Sequence, residues 1–123
     1  TVEQFRRALL KPEVRQCLAR PAEPVVLWRE KPFEVIVDSK EWISGVFDRV
    51  TFRRDKDNAP EATILDYKSD RVESTAQIRN AAERYRPQLD LYKRALSIVL
   101  QIPTERIRCR LLFTRPGNVY DLT

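Results

Sequence analysis

Ala62-Thr63-Ile64-Leu65-Asp66-Tyr67-Lys68-Ser69-Asp70 is the stretch on which the fold turns. An apolar run leads directly into Asp-x-Lys. Successive side chains of a strand point to opposite sides, so Ile64, Asp66, Lys68 and Asp70 share one side and Leu65 and Tyr67 the other. Burying an unpaired carboxylate and ammonium on a core face is costly. The spacing therefore places Asp66 and Lys68 at the rim of a cleft. Upstream, Ser44-Gly45-Val46-Phe47-Asp48-Arg49-Val50 reads as a second strand that also carries an acid. Two carboxylates and a lysine on neighbouring strands suit a divalent cation beside a phosphate group.

Before these strands, Val2, Phe5, Leu9 and Leu10 recur at helical spacing, and Val14, Cys17 and Leu18 continue an apolar face to about residue 20. Pro12 suits a first helical position, which predicts two short helices or one kinked there. Pro21 and Pro24 mark a linker. Val25 to Val37 is strand-like, and Pro32, having no N–H for a ladder, implies an edge, a bulge or a short break. Asp38-Ser39-Lys40-Glu41 is a turn, and Trp42 to Arg53 the next strand, with Val46, Asp48, Val50 and Phe52 expected on one side. Arg54 to Glu61, with Asp55, Asp57, Asn58 and Pro60, reads as a polar hairpin loop.

After the central strand, Ser74 or Thr75 can cap a helix through Ile78, Ala81, Ala82 and Tyr85. Pro87 is expected to break or kink it, with a second helix carrying Leu89, Tyr92, Leu96 and Val99 to about Gln101. Ile107 to Thr114 is a last core strand, and Val119 to Leu122 a partner after the Pro116-Gly117 turn. The expected class is α/β, a mixed central sheet flanked by helices in the order α-βββ-α-β.

A chain of 123 residues fits one domain. Lys and Arg outnumber Asp and Glu by 23 to 18, giving +5 and a pI near 9.5. That balance favours polyanionic partners, although a solvated basic surface has the same composition. Two glycines argue against a Gly-rich phosphate loop. The two cysteines, Cys17 and Cys109, sit in helical and strand patterns as small apolar residues, with no disulfide framework, which fits a reducing cytoplasm. No apolar run approaches the ~20 residues of a membrane span. The chain starts without Met inside a helical pattern, so residues 1–123 are expected to be a single domain truncated at its N-terminus.

Gly45-x-x-Asp48, Asp66-x-Lys68 and Gln88-Leu89-Asp90-Leu91-Tyr92, in that order, resemble the core motifs of PD-(D/E)XK nucleases. More closely the chain resembles the C-terminal nuclease domain of RecB/AddA-type helicase–nucleases, and Trp28-Arg29-Glu30-Lys31-Pro32-Phe33 is similar to the segment before Gly-x-x-Asp in AddA-type proteins. The resemblance runs from about residue 2 to about residue 115. It implies a restriction-endonuclease-like core and Mg²⁺-dependent hydrolysis of DNA, with Mn²⁺ or Ca²⁺ as alternative occupants. Asp48, Asp66 and Lys68 would be catalytic, and Asp48, Asp66 and the main-chain carbonyl of Tyr67 would hold the metal. Lys68, about 7 Å along the strand from Asp66, would orient the attacking water or stabilise developing charge. Gln88 and Tyr92, four apart on one helix face, would touch the strand being cut. Arg49 and Arg86 would meet DNA phosphates, as would Arg71, Arg84 and Lys93, and Glu30 would be accessory.

In that family a histidine on an upstream helix binds metal, yet this chain contains none. A fragment beginning after that helix accounts for this, or replacement by Glu3 or Glu13, which no motif supports. The resemblance implies a role in double-strand break repair and recombination. The partners it implies are DNA, a helicase portion of the same chain and a partner subunit. The rival expectations are a catalytically inactive DNA-binding or scaffolding module that keeps the fold, and a restriction-type or viral nuclease.

Overall fold

A computed structural model describes residues 2–19, 25–54 and 59–122. The Pro21/Pro24 linker and Asp55, Asp57 and Asn58 of the polar loop lie outside them, as do the side chains of Val2 and Phe5. The elements run α1 (Val2–Ala8), α2 (Pro12–Leu18), β1 (Val25–Val37), β2 (Glu41–Arg53), β3 (Glu61–Lys68), α3 (Thr75–Leu100), a 3₁₀ turn at Thr104–Arg106, β4 (Ile107–Phe113) and β5 (Asn118–Asp121). The five strands lie in sequence order across one sheet. All neighbours are antiparallel except β3 and β4, which are parallel and joined through α3. This is the expected α/β class, a mixed sheet consistent with a restriction-endonuclease-like core, with two separate short helices meeting at Pro12.

The alternation of β3 sets the layers. Ile64 packs under α3 with Leu89, Leu96, Leu111 and Phe113, whereas Leu65 faces α1 and α2 with Ala8, Val14 and Leu112. Helix α3 starts at Ser74, whose side chain accepts from the Gln77 N–H, and ends at Gln101 in the left-handed conformation. Pro87 does not break it: Thr75–Leu100 is one helix. An interior proline costs about 3 kcal/mol. Ala81, Ala82, Leu89, Ala95 and Leu96 form one buried stripe on both sides of Pro87, and a break there would pull half of it off the sheet.

Pro32 lies on an edge strand, since β1 has only β2 as a neighbour, and β1 passes through it without a break. The distortion comes two residues earlier. Glu30 has φ 47°, and the β1–β2 ladder skips from Arg29↔Arg49 to Lys31↔Phe47, leaving Glu30 opposite Asp48. Across this point the inward face changes parity. Trp28, Val50 and Phe52 pack on the α3 core, but so do Phe33, Val35, Ile43 and Phe47. The expectation that Val46, Asp48, Val50 and Phe52 share a side is therefore corrected: Val46 is 44% exposed while Phe47 is 1% exposed. A local switch of backbone conformation shifts the pleat by one residue on both strands of the hairpin.

Candidate active site

The last paired residues of β2 and β3 are Arg49↔Leu65. One register step further the strands part, with Asp48 and Asp66 at the point of separation. The Asp48 carboxylate takes the place of the lost ladder, accepting from the Tyr67 N–H through Oδ2 at 2.8 Å. The strand β3 itself stays paired on its other side, where the Lys68 carbonyl accepts from the Thr114 N–H at 2.9 Å. The splay thus opens a notch without freeing the strand that carries Asp66 and Lys68.

Asp66 is 5% exposed, and its Oδ2 lies 2.8 Å from Lys68 Nζ. Burial pushes its carboxyl up to about 6; the Lys68 ammonium opposes this, and the nearby Asp48 carboxylate adds to it. Two neighbouring carboxylates in a half-dry notch, with one ammonium paired to Asp66, form a site short of positive charge.

Helix α3 supplies the third wall. Lys68 Nζ donates to Gln88 Oε1 at 3.0 Å, and Gln88 Nε2 lies 3.5 Å from the Tyr92 hydroxyl. The Tyr92 ring stands edge-on to Phe33 and Phe47, with centroids 5.2 and 5.8 Å away. Gly45 makes room for this. A Cβ there would sit 2.9 Å from the Phe33 ring and 3.1 Å from the Tyr92 hydroxyl.

The structure thus brings Asp48, Asp66, Lys68, Gln88 and Tyr92 together, with Tyr67 joined through its N–H. Glu30 is exposed at the register position opposite Asp48, on the strained turn of β1. Arg86 lies elsewhere, forked onto Glu83 at 2.7 and 2.9 Å and donating to the Leu122 carbonyl at 2.9 Å, where it ties α3 to the end of the sheet. Arg49 is 4% exposed on the opposite side of the sheet, donating to the Ala19 carbonyl at 3.0 Å.

Tyr85, which the sequence pattern places only on the packed face of the helix, also reaches this site. Its ring lies under Lys68 Nζ at 4.1 Å, and its hydroxyl donates to Asp70 at 2.7 Å. The signal was its position three residues before Gln88, on the same helix face. Asp70 is engaged by Tyr85 and by Arg84, 3.7 Å away.

The donor chemistry fits a hard divalent cation. Mg²⁺ takes one or two carboxylates and keeps several waters, and Asp48 and Asp66 offer that number at one notch. Among the described residues no group of three or more His, Cys, Asp and Glu converges, so no dedicated cage of protein ligands is present there. Among them, too, no helix is long and apolar enough to cross a membrane.

No family model matches the chain. An ATP-dependent helicase/nuclease subunit of Limosilactobacillus fermentum (strain NBRC 3956 / LMG 18251) is 29% identical over 118 residues, covering 83% of this chain and 8% of that protein. The chain is therefore similar to a short part of a helicase/nuclease subunit, the class of protein to which the ordered motifs point.

Proposed function

We propose that this chain is a metal-dependent nuclease domain of the RecB/AddA type, hydrolysing DNA phosphodiester bonds as part of a helicase–nuclease in break repair. The observation that carries the reading is the single contact network Asp66–Lys68–Gln88–Tyr92, placed where Asp48 and Asp66 part. The similarity to a helicase/nuclease subunit supports the same class. The partners this reading implies are DNA, the helicase portion of a longer chain and a partner subunit.

Asp48 and Asp66 would hold Mg²⁺, with the Tyr67 main-chain carbonyl as a third donor and Mn²⁺ or Ca²⁺ as alternatives. When bound, the ion would supply positive charge for the phosphate oxygens and lower the pKa of a water. Lys68 is restrained on three sides, by the Asp66 carboxylate, the Gln88 amide and the Tyr85 ring. Its remaining proton can be directed at a non-bridging oxygen or at the attacking water, so little reorientation is needed as charge develops. Gln88 and the Tyr92 hydroxyl present polar groups along α3 for the strand being cut. The aromatic pair Phe33 and Phe47 fixes Tyr92 from beneath.

Linear DNA incubated with Mg²⁺ tests the activity, with Asp66→Ala expected to abolish cleavage; retained cleavage would defeat the assignment. Mn²⁺ binding tests the site separately. Paramagnetic broadening should concentrate on the amides of Asp48, Tyr67 and Lys68 and vanish in Asp48→Asn.

A second reading, a nuclease-fold module that binds DNA without cutting it, is favoured by the absence of histidine and by the ion pair already neutralising Asp66. It requires DNA affinity that a chelator leaves unchanged and no cleavage with any divalent ion.

A further inference from the structure

On the side of the sheet facing α2, two arginines stand in one cross-strand row. Arg49 on β2 is partnered with Leu65 on β3, and Leu65 with Arg110 on β4, so the arginine backbones lie two strand spacings, about 10 Å, apart. Their side chains line a cavity of about 440 Å³ between α2 and the sheet. Thr51 and Thr63, paired in the next row, line it as well, with Cys17 and Gln16 from α2. This volume falls in the range of about 300–1,000 Å³ typical of small-molecule sites.

Among the described residues the positive charge in this cavity meets only neutral partners, the Ala19 carbonyl and the Tyr67 side chain, both on Arg49. Arg49 is 4% exposed, and the Nε atoms of Arg49 and Arg110 are both buried without a hydrogen-bond partner. Among the described residues no carboxylate forms an ion pair with either guanidinium. Arg49 is buried and Arg110 half-buried, and two guanidiniums turned into one cavity repel each other unless an anion joins them. Paired guanidinium forks match the oxygens of a phosphate, and the threonine hydroxyls can donate to the same group. Among the described residues that line it the carboxylate is Glu61, which lies 4.0 Å from Arg106 and would repel a long polyanion. A compact dianion suits the cavity better than a stretch of phosphodiester backbone.

We propose that the cavity formed by Arg49, Arg110, Thr51 and Thr63 beneath α2 binds a phosphate monoester dianion, free or as the terminal phosphate of a nucleotide. The site is on the opposite side of the sheet from Asp48 and Asp66. It does not depend on their reading as a metal centre.

Titration of the full 123-residue chain with inorganic phosphate, followed by amide NMR at low ionic strength, tests this. Saturable shifts are expected at Cys17, Thr51 and Thr63, with Kd of about 0.1–1 mM, and Arg110→Gln should weaken binding at least about tenfold. Thr63→Val, which keeps volume and removes only the hydroxyl, should weaken it about threefold and serves if Arg110→Gln fails to fold. Deoxyadenosine 5′-monophosphate binding more tightly than phosphate identifies a nucleotide terminus; equal affinity identifies the phosphate alone, and either result supports the site. The proposal is overturned if shifts appear only around Lys68 and Gln88, or if affinity is unchanged in both variants. It is also overturned if an oligonucleotide without a terminal phosphate binds while both monoesters fail.

Discussion

The two sides of β3 differ in how they handle charge. Under α3, the buried Asp66 meets Lys68 of its own strand at 2.8 Å, and Lys68 in turn meets Gln88 and the Tyr85 ring of α3, so the charged pair is held together and anchored from the helix. Under α2, Arg49 has the Ala19 carbonyl, while its Nε and that of Arg110 have no hydrogen-bond partner. The same alternation of side chains builds both. One side gathers an excess of acid that one ammonium only partly offsets, and the other gathers an excess of base. Each is therefore suited to a ligand of opposite sign, and charge balance across β3 tells more about ligands than the net charge of +5 does.

The packing of the two sides differs as well, which gives the largest expected effects. Phe47 is 1% exposed, its ring stacked on Phe33 at a centroid distance of 4.3 Å and edge-on to Tyr92. Phe47→Ala should cost about 3–5 kcal/mol and loosen Tyr92 from its place beside Gln88. Leu65 is 4% exposed and borders a recess of about 30 Å³ beside Arg49 and Arg110. Leu65→Ala should cost about 2–3 kcal/mol, the lower part of the range, because part of its surroundings is already unfilled. Urea unfolding of both variants checks the order, and a larger loss at Leu65 would reverse the comparison.

Asp66→Asn sharpens the electrostatic side of it. The Asp66 carboxyl rises from 3.8 to about 6 on folding, burial being the main cause. Between those values the native state holds the proton more tightly than the unfolded chain does. Stability from this group is full below pH 4 and is lost as pH rises through about 6. In metal-free buffer Asp66→Asn should therefore be more stable than the parent at pH 7, by about 1–3 kcal/mol, with the gap closing near pH 4. Thermal denaturation at the two pH values measures it. Saturating Mg²⁺ should stabilise the parent and leave Asp66→Asn unmoved. A gap that widens towards pH 4 would mean that Lys68, and not burial, controls the group.

Gly45→Ala acts on the same notch through sterics. The added methyl would lie 2.9 Å from the Phe33 ring and 3.1 Å from the Tyr92 hydroxyl, so one ring must yield. The expected cost is about 1–3 kcal/mol, read by chemical denaturation, and the Tyr92 ring resonances should shift.

Much of this arrangement was legible in the residues, and the exceptions have physical causes. Strict alternation held on β3 and β4, where Ala62, Ile64, Cys109, Leu111 and Phe113 all face the α3 core while Leu65 and Leu112 face the other side. On β1 and β2 it failed at Glu30 and Asp48, where an edge hairpin can take up a left-handed residue and change the parity of its buried face. No apolar or polar pattern marks a single residue with φ 47° when that residue is a glutamate. The order of Asp48, Asp66, Lys68, Gln88 and Tyr92 was readable as motif. Arg49 was not, because its neighbour Asp48 suggested a place in the notch while the shifted pleat turns it to the far side. Helix α3 outran its expected end at Pro87 for a related reason: a local penalty was weighed without the sheet beneath.

Tyr85→Phe probes the smallest effect in the comparison and the one most specific to the α3 side. It removes the hydroxyl that donates to Asp70 at 2.7 Å and leaves the ring under Lys68. The expected loss is about 0.5–1.5 kcal/mol, the net worth of one partly buried hydrogen bond. Tyr85→Leu removes the ring face as well and should cost Lys68 a further 0.5–1 kcal/mol or so of cation–ring attraction. If Lys68 draws on that ring for its position, cleavage should fall in Tyr85→Leu and hold in Tyr85→Phe. Equal activity in the two would assign Tyr85 to the anchoring of Asp70 and Arg84 alone, leaving Asp66 and Gln88 to orient the ammonium.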